Sequence, residues 1–115
     1  GLAVYLSEQW RTVSQFDFRE PVTMAHLLTH SAGLDERVIG AFVTSPDELL
    51  PLAEYMARDL PPCIRPPGQE MSYSNHAYAL AGLVVQDISG LPFEQYVEEK
   101  LASLARDEDV ARYIL

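Results

Sequence analysis

One lysine, Lys100, and one cysteine, Cys63, stand in a chain of 115 residues. Lys and Arg together number 8 against 17 Asp and Glu, which leaves a formal charge of −9 and a pI near 4.6. Nucleic-acid binding needs a basic face that neutralises phosphates, so nucleic acid is not an expected partner, nor is an anionic membrane surface. The lone Cys63 excludes an internal disulfide and any multi-cysteine zinc or iron–sulfur site. No run approaches the ~20 apolar residues of a membrane span, and no basic, apolar, small-residue leader opens the chain. An absence of disulfides fits either side of a membrane, so the compartment stays open. The first residue is Gly1 rather than Met, the expectation for a processed product, a cloned segment or a piece of something longer.

What is there is globular: 48% hydrophobic and 22% charged residues, too apolar for disorder. The length suits one domain over 1–115. Helix signals dominate. Thr23 is a candidate N-cap for a helix running from Met24 towards His30, with Gly33 placed to take a positive φ after it. Ser45-Pro46-Asp47-Glu48 carries a capping serine, Pro at the first helical position and Glu three residues after the cap, so a second helix is expected to start there and stop at Leu60-Pro61-Pro62. A third should begin near Ser74 or Asn75 and end at Ser89-Gly90, with Ala77, Leu80, Ala81, Val84, Val85 and Ile88 as a broad apolar stripe. A fourth opens at Leu91-Pro92-Phe93 and runs to about Ala105, placing Phe93, Tyr96, Val97, Leu101 and Leu104 on one face. A short fifth over Glu108–Leu115 and an N-terminal Val4-Tyr5-Leu6 of either helical or extended form complete a mainly α chain without period-2 strands. The apolar stripes read as core, and Glu94, Glu98, Glu99 and Lys100 as a solvated helix face.

Several residues carry chemistry. Tyr73-Ser74-Asn75 sits where a loop turns into a helix N-terminus, a corner that can hold polar side chains at a surface on a rigid support. The plainer assignment makes Ser74 or Asn75 an N-cap and packs Tyr73 in the core. His26 and His30 are four apart and so are expected to share a helical face, as two metal ligands would. The residues between them are Leu27-Leu28-Thr29, with no glutamate base and no third ligand, so structural histidines are expected and no metal. His30 and Ser31 are adjacent and do not face each other on a helix. No Gly-x-Ser-x-Gly elbow occurs. Cys63 has only Arg65 as a near basic neighbour, too little for a catalytic thiol.

Two blocks together resemble a known family. Pro21-Val22-Thr23-Met24-Ala25-His26-Leu27-Leu28-Thr29-His30-Ser31-Ala32-Gly33-Leu34 is similar to the P-[IV]-T-x-x-H-L-L-T-H-[TS]-[SA]-G-L segment of class C β-lactamase-like serine hydrolases. Pro67-Gly68-Gln69-Glu70-Met71-Ser72-Tyr73-Ser74-Asn75, followed by Tyr78, Leu80 and Gly82, resembles their P-G-x-x-[FW]-x-Y-S-N block, and Ser89-Gly90-Leu91-Pro92-Phe93 continues it in register. The resemblance spans about Glu20 to Leu101. It implies the helical subdomain of the β-lactamase/transpeptidase-like fold, without the α/β sheet part, from a parent that hydrolyses an amide or ester through an acyl-serine. It implies catalytic roles for Tyr73, which would help move the serine proton, and for Asn75, which would hydrogen-bond substrate and a motif lysine. Ser74 takes no role, the His30-Ser31-Ala32-Gly33 stretch is a scaffold under the site, and no cofactor is implied.

The departures are equally specific. The residues three after each serine are Trp10, Asp17, Leu34, Glu48, Asn75, Ala77, Pro92 and Arg106, so Ser-x-x-Lys is absent. Lys100 is followed by Leu101-Ala102, so Lys-Thr-Gly is absent too. A nucleophile, an activated base and an oxyanion hole are all required, and this chain offers the tyrosine and the asparagine. Ala102–Arg106 replaces the family's P-L-G-M, while Asp107–Leu115 resembles a stretch that normally precedes the first block; a permuted or excised helical part, or coincidence, produces that. The expectation is therefore no turnover by the chain alone. Its partner would be the missing α/β part of the fold, supplied in trans, or a second copy in a homodimer; a non-catalytic helical interaction module is the alternative. Substrate, whether β-lactam, ester or D-amino-acid peptide, is not legible.

Overall fold

Thr23 opens the first helix through a reciprocal cap. Its Oγ1 accepts the His26 N–H at 3.3 Å, while His26 Nδ1 accepts the Thr23 N–H at 3.2 Å, so histidine fills the place that glutamate usually takes in such a box. The structure, a computed structural model, describes residues 21–38, 40–107 and 112. Helix α1 spans Met24–Leu28 and buries Leu27. It ends earlier than the expected His30. The His30 N–H bonds the Leu27 carbonyl at 3.3 Å, and the Ser31 N–H bonds the His26 carbonyl at 2.8 Å. That pair, with His30 at φ 55, is a Schellman ending whose left-handed position is held by histidine where glycine is preferred. His26 and His30 therefore do not share a helical face, and His26 has a structural task in the cap.

Gly33, expected as the helix's glycine stop, has a positive φ of 79 for another reason. A Cβ there would collide with the Arg65 carbonyl oxygen. The chain after α1 runs antiparallel to the Pro-rich loop: Asp35 N–H donates to Pro62 O at 2.9 Å, Ile64 N–H to Gly33 O at 2.8 Å, Gly68 N–H to Ser31 O at 2.7 Å and Ser72 N–H to His30 O at 2.8 Å. Among the described residues, one pair, Leu34 with Cys63, forms a β-bridge, and there is no strand. This irregular seam brings together two sequence blocks about thirty to forty residues apart.

The expected helix start at Ser45 is a correction. Pro46–Glu48 makes one 3-10 turn, and Ser45 contributes no side-chain cap. Glu48 reaches back past Ser45 instead, its Oε2 accepting the Thr44 N–H and Oγ1–H at 3.1 and 3.2 Å. Pro51 explains the break: its ring disfavours a helical Leu50, and it has no N–H to give back to Asp47. Helix α2 starts after it, as Leu52–Asp59.

Helix α3, Asn75–Ser89, follows the expected bounds closely. The Ser74 side chain accepts the Ala77 N–H at 3.2 Å, and Gly90 closes the end at φ 72. Seven of its residues are buried, and it packs on α1, on α2 and on helix α4, Phe93–Arg106. Leu27, Met56, Leu80, Leu83 and Val84 form the centre of the core. Helix α4 departs from expectation: none of its residues is buried, so its apolar stripe is not core among the described residues. The chain is mainly α, as expected for a helical subdomain. No helix of the described residues is long and apolar enough to cross a membrane. The expected helix over 108–115, save Arg112, and the N-terminal Val4-Tyr5-Leu6 lie outside the described residues.

Candidate functional site

The N-terminus of α3 meets the end of α1 at one corner. Ser74 turns inward and is buried as the helix cap, which forces its neighbours Tyr73 and Asn75 outward. Tyr73 is 66% exposed, so it is not the core residue of the plainer sequence reading. Its hydroxyl donates to Asn75 Oδ1 at 3.0 Å. The two side chains that the resemblance singled out thus converge, and with His30 and Tyr78 they line an open recess of about 440 Å³.

Three supports hold this corner through contacts that no sequence pattern shows. His30 Nδ1 accepts the Ser74 N–H at 3.1 Å, and its ring lies 4.6 Å from the Tyr73 ring and 4.9 Å from the Tyr78 ring, centroid to centroid. Tyr78 donates its hydroxyl to the Leu28 carbonyl at 2.8 Å, tying α3 to the end of α1. Glu36 Oε2 accepts the Asn75 N–H at 2.9 Å. That N–H belongs to the first turn of α3, where backbone donors lack helical partners and negative charge is favoured. The pairs are separated by 39 to 50 residues, so no periodicity could have revealed them. A further histidine–tyrosine contact lies behind the corner.

There, His76 is 2% exposed. Its Nε2 is 3.0 Å from Tyr55 Oη, and its Nδ1 lies 3.5 Å from Glu36 Oε1 without forming a hydrogen bond. A small recess of about 160 Å³ between Ala41, Tyr55, Asn75, His76 and Ala79 borders this group. Burial, reinforced by the nearby Asp59 carboxylate, holds the Tyr55 hydroxyl above its ordinary pKa, so it stays protonated. Cys63 is a free thiol pushed up to about 11 by burial. A thiol in that state is a poor nucleophile at neutral pH. Lys100 lies on α4 with its Nζ 5.4 Å from the Tyr96 ring centre, not at the corner. Among the described residues, no three His, Cys, Asp or Glu side chains are grouped to hold a metal ion.

The arrangement offers two oxygens and a ring edge on a rigid helix end. Tyr73 Oη and Asn75 Oδ1 face a common space, where both could meet a cation or a substrate N–H. Among the described residues, no serine lines that recess.

Comparison with known proteins agrees with the motif reading. The family model described as "Beta-lactamase" matches residues 6–110. The chain is similar to a protein named "Putative penicillin-binding protein PbpX" from Bacillus subtilis (strain 168), with 28% identity over 82 residues. That alignment covers 71% of this chain and 19% of the relative, so the chain spans about a fifth of the length of that protein. No solved structure matches.

Proposed function

The chain belongs to the Beta-lactamase family, and from that premise we propose that it is the tyrosine-and-asparagine half of an acyl-serine hydrolase site. The parent reaction is hydrolysis of an amide or ester. Its attacking serine and the lysines that go with it lie outside the given residues, which contain no Ser-x-x-Lys and no Lys-Thr-Gly. Tyr73 is the group that passes a proton between the serine hydroxyl and the departing group. Asn75 holds substrate and the motif lysine.

The observation that carries this reading is the 3.0 Å contact between Tyr73 Oη and Asn75 Oδ1 at an exposed corner. A lysine ammonium brought up by the α/β part would meet both oxygens at once. A positive charge so placed favours the phenolate, the form that can act as a base. With the ammonium missing, Tyr73 donates to Asn75 and has nothing to deprotonate.

The chain alone is therefore expected not to turn over nitrocefin or p-nitrophenyl acetate, and intact-mass spectrometry after each should find no acyl adduct. Mixing with the α/β part of the fold should restore hydrolysis, and Tyr73→Phe should abolish it again. Clear hydrolysis by the chain alone that disappears in Tyr73→Phe would overturn the half-site reading. A second reading, a non-catalytic helical module that binds a protein, draws on α4, whose residues are all unburied. Large contiguous apolar surfaces mark association sites. Solution mass separates the two: a stable monomer speaks against self-association through that face.

A further inference from the structure

We propose that His30 is the residue that positions Tyr73, acting on the backbone at both of its sides and on its ring. The inference rests on the reading of Tyr73 as the proton-carrying hydroxyl. His30 uses three different parts of itself. Its carbonyl accepts the Ser72 N–H at 2.8 Å. Its Nδ1 accepts the Ser74 N–H at 3.1 Å. Its ring packs 4.6 Å from the Tyr73 ring at a tilt of 34°. Residues 72 and 74 are thus tied to one residue more than forty positions away, and Tyr73 is held between the two ties.

The backbone of His30 explains how one residue reaches so far. It occupies the left-handed position of the α1 ending, with φ 55. Glycine is the usual occupant there because it has no Cβ. Glycine would keep the carbonyl contact to Ser72 but supply neither the Nδ1 acceptor nor the ring. Placing a histidine in a conformation that suits glycine is strain of the kind that collects at functional sites. The two side-chain contacts to residues 73 and 74 are what offset it. Because Nδ1 accepts from an amide, the ring proton sits on Nε2. Tyr78 also packs against the ring at 4.9 Å and is anchored to Leu28 through its hydroxyl, a second contact that restrains the imidazole beside Tyr73. A mostly exposed tyrosine has little packing of its own to fix its rotamer, and a group meant to meet a partner's serine must be fixed in advance.

Two variants that both tolerate the left-handed backbone separate this role from general support. His30→Gly suits the helix ending, and His30→Asn keeps an acceptor at the δ position and also accepts positive φ. The readouts are amide hydrogen exchange and Tyr73 ring-proton shifts in the 115-residue chain. In His30→Gly, the Ser74 amide should exchange roughly tenfold faster, as expected for a lost hydrogen bond, while Ser72 and the core amide of Leu80 keep their protection. In His30→Asn, Ser74 should stay protected. In both, the Tyr73 ring shifts should move to those of a free tyrosine. Unchanged Tyr73 shifts in both variants would overturn the proposal. So would a parallel rise in exchange at Ser72, Ser74 and Leu80, which marks plain destabilisation. Neither readout needs turnover, so failure of the hydrolase reading and failure of the clamp are told apart.

Discussion

Helices α3 and α4 are nearly equal in length, 15 and 14 residues, and each carries an apolar stripe at helical spacing. Their fates differ. α3 lies between the other elements, buries seven residues, and presents the Tyr73–Asn75 corner at its N-terminus. α4 leans on α3 from one side and buries none, with Phe93, Leu101 and Leu104 exposed among the described residues. Periodicity tells which face of a helix is apolar; it does not tell whether anything covers that face. The buried helix is also the one that bears the candidate site, as a rigid support should be. The pairing therefore separates a stabilising element from a peripheral one.

Substitutions along the two helices test that separation, and the largest effect is expected at its centre. Leu80 is fully buried, and Leu80→Ala should lower unfolding free energy by about 2–5 kcal/mol through lost transfer and a residual cavity; urea denaturation reads it. A loss under about 1 kcal/mol would mean that α3 is not the core of the chain. The next effect sits at the join of the two helices and has the opposite sign. A Cβ at Gly82 would stand 3.7 Å from Leu52 Cδ2 and 3.7 Å from Phe93 Cδ2, ordinary contact distances. Gly82→Ala in this helical interior should therefore stabilise by about 0.5–1 kcal/mol, seen as a higher denaturation midpoint. Destabilisation would show that α4 presses more closely on α3 than these distances imply. The smallest effect belongs to Leu101, 55% exposed on α4. Leu101→Ala should stay within about 0.5 kcal/mol. A loss comparable to that of Leu80 would erase the contrast, because something would then have to cover α4.

The sequence made much of this legible, for local reasons. Thr23, Ser74 and Gly90 were each found by the chemistry of an orphaned backbone group, and each does that task. Ser45 misled because its Ser-Pro-Asp-Glu pattern forms no side-chain cap, and Pro51 follows too soon for a helix to grow from it. Gly33 was assigned to a helix end when its missing Cβ serves the approach of Arg65. The Tyr73 and Asn75 positions were legible only through resemblance; composition and spacing alone favoured Tyr73 in the core, whereas it is exposed. Their supports were legible only in part: the resemblance makes the His30 stretch a scaffold under the site and includes Tyr78, but the contacts either one makes were not readable. Glu36 is an acidic loop residue like several others until its carboxylate is seen on the Asn75 N–H. His30 was a helix-end scaffold until its φ and its ring contacts were seen.

On its own, the sequence determined that this is a mainly helical chain, where α3 begins and ends, and that a serine–lysine pair is absent from it. These follow from residue types acting on their nearest neighbours: caps on free N–H groups, glycine at positive φ, apolar side chains every three or four positions. Only the tertiary structure decided that α3 is covered and α4 is not, that Tyr73 faces outward, and that His30 and Glu36 hold the corner where Tyr73 and Asn75 meet. Those outcomes depend on hydrogen bonds and ring contacts between groups some forty residues apart, and a contact of that span exists only once the chain has closed the loop that brings its two ends together.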